Sequence, residues 1–109
     1  MTTLSKMTRY ARVVGVTFDN RQAVIAELVH GDVLRIHREP HNPHDAHALR
    51  VECSSGAQIG YLPRPMAARL SPRLDAAGVD NLPATVQALS GGYGANPILG
   101  VSIRFTTPI

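Results

Sequence analysis

The sequence predicts a mainly β domain: a small, strongly curved antiparallel β-barrel of five or six strands with two short α-helices. Three observations predict it. Short β-branched runs recur with Gly, Pro, Asn or Asp between them. Only two stretches have apolar residues at helical spacing. The resulting order is too irregular for a doubly wound parallel sheet, whereas a small antiparallel barrel closes its own edges and carries ligands on one face and its loops.

Taken in order, residues up to about Arg9 read as a polar lead-in, and Ala11 to Phe18 as the first strand. Asn20 is placed to cap a helix over Arg21 to Leu28, where Val24, Ile25 and Leu28 share one face. Gly31-Asp32 turns into a strand from Val33 to Arg38. Ala48 to Cys53 alternates well, and Ser54-Ser55-Gly56-Ala57 connects it to Gln58 to Leu62, so these two strands should be antiparallel neighbours. Pro63 ends that strand and Pro65 suits the first turn of a helix whose Met66, Ala67, Leu70 and Leu74 share a face. Pro72 predicts a kink or break near Leu70-Ser71, and Gly78 closes the element. Leu82 to Leu89 and Ile98 to Phe105 are the final strands, on either side of a glycine-rich loop.

The 109 residues fit one compact domain. Aromatic residues make up 5% of the chain, too few for an aromatic nucleic-acid platform spread over the whole surface. Of the eleven cationic residues ten are Arg, which with the net charge of +3 is a mild bias towards anionic partners and bidentate phosphate contacts. Cys53, the single cysteine, cannot form an internal disulfide and reads as a small buried thiol. Met1 to Arg12 lacks the apolar core of a signal peptide, and no run approaches the roughly 20 apolar residues of a membrane span. A soluble, cytoplasmic protein is expected.

The chemistry concentrates in Arg38-Glu39-Pro40-His41-Asn42-Pro43-His44-Asp45. Two prolines three apart fix φ and remove two donors, so this segment is an ordered loop between strands. Such a loop offers a carboxylate, a carboxamide and an imidazole at low entropic cost on binding. This stretch through Ala48, with Val14-Gly15-Val16 ahead of a short helix and Ile59-Gly60-Tyr61-Leu62-Pro63-Arg64-Pro65-Met66-Ala67, strongly resembles the HIRAN domain family. That family is known as an N-terminal module of helicase-like chromatin remodelling ATPases and as small stand-alone bacterial proteins. The specific part is Arg-Glu-Pro followed by Asn-Pro-x-Asp and an alanine. The likeness covers roughly Ala11 to Phe105, so residues 1–10 are expected to be a lead-in and 11–107 a single HIRAN-like domain.

The resemblance implies an OB-like barrel that binds single-stranded DNA at its free 3′-hydroxyl end, in a repair or stalled-fork setting with DNA repair or helicase proteins as partners. It implies no catalytic residue, no metal and no cofactor. Carried over by position, the hydroxyl-accepting aspartate is Asp45, the motif amide is Asn42, and the aromatic beside the aspartate is replaced by His44. The aromatic ending the first strand falls on Phe18, the one in the late glycine-rich loop on Tyr93, and the basic residue after the Gly-x-Leu strand on Arg64. Thr17 stands where the eukaryotic members carry a basic residue, which removes one phosphate contact, and Phe18 and His44 lack a phenolic hydroxyl.

Physical chemistry points the same way. A carboxylate among phosphates needs a donor of its own, so Asp45 implies a hydroxyl or amine; a phosphate about 4 Å away would cost up to ~4 kcal/mol at an effective dielectric of 20. Phe18 and Tyr93 would stack on bases, Arg64 would hold phosphate, and Arg69 and Arg73 are candidate outer contacts. The residues alone leave plainer roles open: Asp45 as a turn cap, Asn42 as a loop brace, Phe18 as core, Tyr93 as an exposed loop ring, Arg64 as a solvated helix face and Tyr61 as packing. Rival functions are a protein-interaction module using a sheet edge or the Met66 to Leu74 helix, and a metal-dependent hydrolase using Glu39 and Asp45. His37, His41, His44 and His47 invite a metal, but Pro40 and Pro43 prevent helical ligand spacing.

Overall fold

The computed structural model describes residues 6–108. The elements run β1 (Lys6–Arg12), α1 (Arg21–Ile25), β2 (Val33–Arg38), β3 (Leu49–Cys53), β4 (Gln58–Tyr61), α2 (Arg64–Ala76), β5 (Asn81–Ser90) and β6 (Gly100–Pro108). All six strands form one antiparallel sheet in the order β1-β6-β5-β2-β3-β4. Register shifts after Val51 and after Val86 add local bend and twist. The sheet buries Leu34, Ile36, Leu49, Val51, Ile59, Val101 and Ile103, and Ile25 of α1 with Leu70 and Leu74 of α2 complete the core. This is the mainly β, OB-like architecture expected, with strands β3 and β4 paired as predicted.

The sheet is not closed by a ladder between β1 and β4. A single bridge does that work: Val14 and Tyr61 exchange two backbone hydrogen bonds of 2.9 Å each, while Val13 still donates to Val101 on β6. The chain leaving β1 thus passes from one end of the sheet to the other. Gly60 permits this, because a Cβ there would overlap the Val14 carbonyl.

Four local expectations are corrected. The first strand lies earlier, at Lys6–Arg12, and Phe18 sits in a turn beyond Gly15 at φ 71°. β1 is an outer strand with most residues exposed, so it carries no apolar alternation and reads as polar lead-in. Helix α1 stops at Ile25, and Asn20 precedes it in the left-handed region with no side-chain cap. Helix α2 runs unbroken through Pro72. Ala68, whose carbonyl loses its donor, and Pro72 itself face solvent, while Ala67, Leu70, Ser71 and Leu74 are buried and hold the helix together. Finally, Cys53 is only partly buried. Burial alone would raise its thiol pKa, but bonds from the Ser55 hydroxyl and the Ser55 and Ala57 amides bring it below the ordinary value.

Helix α2 ends as Gly78 predicts. The Gly78 amide donates to the Asp75 carbonyl and the Val79 amide to Leu74, with Gly78 at φ 70°.

Candidate nucleic-acid interface

The loop between β2 and β3 is organised by Asn42. Its Oδ1 accepts from the amides of His44 (2.8 Å) and Asp45 (3.2 Å), and its Nδ2 donates to Glu39 Oε1 (3.0 Å) and to the Tyr61 hydroxyl (3.3 Å). Tyr61 in turn donates to Glu39 Oε1 at 2.8 Å. The carboxamide is thus spent inside the protein, holding the chain in the turn that the flanking prolines favour.

Three tethers fix this loop to α2. The nearly buried Arg38 donates from Nη1 to the Ala46 carbonyl (2.9 Å) and grips Asp75 with Nε (2.9 Å) and Nη2 (3.1 Å). Ser71 Oγ donates to the His47 carbonyl at 2.6 Å, and Arg64 Nη2 to the His44 carbonyl at 2.6 Å. The Arg38 bonds hold the Asp75 carboxyl below the usual carboxylate range.

Asp45 is divided between two tasks. Its Oδ1 accepts from the His47 amide (2.9 Å), as a turn cap does, while its Oδ2 lies 3.4 Å from Arg64 Nε, and the residue lines an open cleft of about 580 Å³. Phe18, Arg21, Asn42, His44, Tyr61 and Arg64 also line this cleft. Phe18 is 64% exposed, so it is a free ring at the cleft wall and not core. Arg64, at the first position of α2, stands 72% exposed at the mouth.

Five of the six residues expected at the site therefore share one cleft: Phe18, Asn42, His44, Asp45 and Arg64. Tyr93 does not line it. That ring projects from the β5–β6 connection, where Tyr93 pairs by backbone with Asn96. Gln22 of α1 ties the base of this connection down, donating to the Leu99 carbonyl (2.9 Å) and accepting from its amide (2.7 Å). Arg69 and Arg73 are exposed on α2 away from the cleft. Among the further residues that line it are Asp19, Arg21 and Tyr61, none of which the sequence assigned to the site. Arg21 left one sequence signal: a cation in a helix's first turn runs against the preference for acidic residues there.

The rival chemistries find little geometry. Glu39 is engaged by Tyr61 and Asn42, with Arg50 at 3.8 Å from its other oxygen. Among the described residues no three of His, Cys, Asp and Glu gather as metal ligands. No helix among them is long and apolar enough to cross a membrane.

Comparison with known proteins identifies the family and the fold. A family model described as the HIRAN domain matches residues 7–88. The helicase-like transcription factor of Oryctolagus cuniculus is 33% identical over 75 residues, covering 69% of this chain and 7% of that protein, so the chain spans only a small part of this relative's length. A protein from Lactobacillus plantarum has the same fold, with a TM-score of 0.70 at 21% identity over 94% of this chain and 98% of that one. The crystal structure of the HIRAN domain of human HLTF gives a TM-score of 0.67 at 22% identity, over 91% of this chain and 73% of that one. The structural likeness establishes the fold, and the family match extends over most of the sequence that builds it: the chain belongs to the HIRAN domain family.

Proposed function

We propose that this protein is a non-enzymatic DNA-binding module that takes the free 3′-hydroxyl end of single-stranded DNA into the cleft beside Asp45. The observation that carries this reading is the division of the Asp45 carboxylate. One oxygen is fixed by the His47 amide, which sets the orientation of the group, and the other has Arg64 beside it, on a residue that lines an open cleft. A preset acceptor next to a cation suits a hydroxyl donor on a polyanion. Phe18 supplies a wall on which the terminal base stacks, worth about 1–3 kcal/mol without choosing a sequence. His44 forms part of the same wall and Asn42 holds the loop in place, while Tyr93, on its separate connection, meets a base further along the strand. Membership of the HIRAN family and similarity to a helicase-like transcription factor support a DNA-related role; a setting beside DNA repair or helicase proteins and a cytoplasmic location are part of the proposal.

The test is a polarisation titration of short single strands ending in 3′-hydroxyl or 3′-phosphate. The free end should bind at least about tenfold more tightly, since a phosphate near Asp45 is opposed by up to ~4 kcal/mol. Asp45→Ala should abolish that preference. Equal affinity for both ends in the wild type would remove Asp45 from this role.

A further inference from the structure

Arg21 lines the cleft, yet its charge is poorly matched by the protein around it. The residue is 7% exposed. Its Nη1 donates to the Gly15 carbonyl (2.7 Å), its Nη2 to Asp19 Oδ2 (3.2 Å), and its Cζ lies 5.5 Å from the centre of the Tyr61 ring. Its Nε, fully buried, has no acceptor among the described residues. The one carboxylate paired with it among the described residues, on Asp19, is 83% exposed. A pair with so solvated a partner contributes little, whereas withdrawing a guanidinium from water is expensive. Asp19 and Asn20 hold φ of 51° and 62°, in the left-handed region that Asp and Asn adopt more readily than other side-chain-bearing residues.

A desolvated cation beneath an open cleft, held by a weak and exposed anion, is a site for a stronger one. We propose that Arg21 is the inner phosphate-binding residue of the cleft: it takes the phosphodiester joining the last two nucleotides of the bound strand, and that phosphate displaces the Asp19 carboxylate. This rests on the reading of the cleft as a 3′-end site. With Asp45 on the terminal hydroxyl, the nearest phosphate is the one on the same nucleotide, and a cleft of about 580 Å³ suits one such unit. Arg64, already paired with Asp45 at the mouth, is left for the phosphate outside.

The experiment compares two oligodeoxynucleotides with free 3′-hydroxyls that differ only in the last linkage, phosphodiester or uncharged methylphosphonate. Wild type should bind the methylphosphonate strand about tenfold more weakly, the size of a charged hydrogen bond, and in Arg21→Gln the difference should shrink to about twofold or less. Asp19→Asn, a change at an exposed site that leaves the core untouched, should tighten the phosphodiester strand by roughly two- to fivefold and leave the methylphosphonate strand unchanged. Thermal melts show whether Arg21→Gln folds; if it does not, the wild-type linkage preference and Asp19→Asn decide the matter. An Arg21→Gln variant that keeps the full linkage preference, or an Asp19→Asn variant that binds both strands like wild type, overturns the assignment. A wild type indifferent to the linkage, but still dependent on Asp45 and the 3′-hydroxyl, overturns it while the 3′-end reading stands. Failure of wild type to bind either strand removes both.

Discussion

Asn42 and His44 sit two residues apart on one loop and do opposite things. The Asn42 side chain makes four hydrogen bonds within the protein, while the imidazole of His44 is exposed at the cleft. Asn42→Ala should therefore destabilise the fold by about 2–3 kcal/mol, several bonds' worth, in urea unfolding, and weaken binding through loss of the loop's shape. His44→Ala should leave stability within about 0.5 kcal/mol, yet weaken strand binding if the ring packs on a base. A reversed pattern, with His44 carrying stability and Asn42 none, would contradict the division drawn between them. The two prolines and the Asn-Pro-x-Asp spacing made this loop legible from sequence, and with it Asn42, His44 and Asp45, whereas Phe18 and Arg64 were placed by the resemblance to the HIRAN family. What sequence could not separate was brace from ligand, because that depends on Tyr61, nineteen residues from Asn42 and on another strand. Arg21 was hidden for the same reason: its burial is created by the turn at Gly15 and the ring of Tyr61, neither of which its own neighbours announce.

At the scale of elements, α2 carries a proline in its ninth position and does not break, because the missing bond falls on its wet side while its dry side is packed. Pro72→Ala should accordingly stabilise the protein by about 1–3 kcal/mol, part of the helix penalty being offset by the greater freedom of the unfolded chain. A lower melting temperature in that variant would mean that the ring makes contacts the helix needs. The same helix holds the binding loop through Arg38 and Asp75. Because Arg38 lowers the Asp75 pKa in the folded state, the link stabilises above the unfolded value, about 3.9, and is lost as pH falls through the lower folded value. Stability followed by circular dichroism should thus decline on acidification below about pH 4, and Asp75→Asn should flatten that part of the curve. An unchanged acid limb in the variant would assign the decline to other carboxylates. Strands β2 and β3 were readable because each buries an alternating face, and β4 because the Ser54-Ser55-Gly56-Ala57 turn and Pro63 bound it. Strand β1 was not, since an outer strand has almost no buried face to write into the sequence.

Across the whole molecule, the cleft lies where the two ends of the sheet meet. Val14 and Tyr61, the pair that bridges them, both line it, so the closure of the fold and the formation of the site are one event. That origin makes the site compact. Most of the protein's cations lie elsewhere: Arg69 and Arg73 on the outer face of α2, Lys6 and Arg12 on β1, and only Arg21 and Arg64 on the cleft. Affinity built this way should depend weakly on salt. With two guanidiniums each neutralising one phosphate of a single strand, the slope of log K against log salt should be about −1.4, from roughly −0.7 per contact. Arg69→Ala and Arg73→Ala should then leave the slope unchanged, whereas Arg64→Ala should reduce its magnitude by about 0.7. A slope steeper than about −3, moving with Arg69 or Arg73, would mean that the strand continues across α2 and that the cleft holds only the end of a longer track.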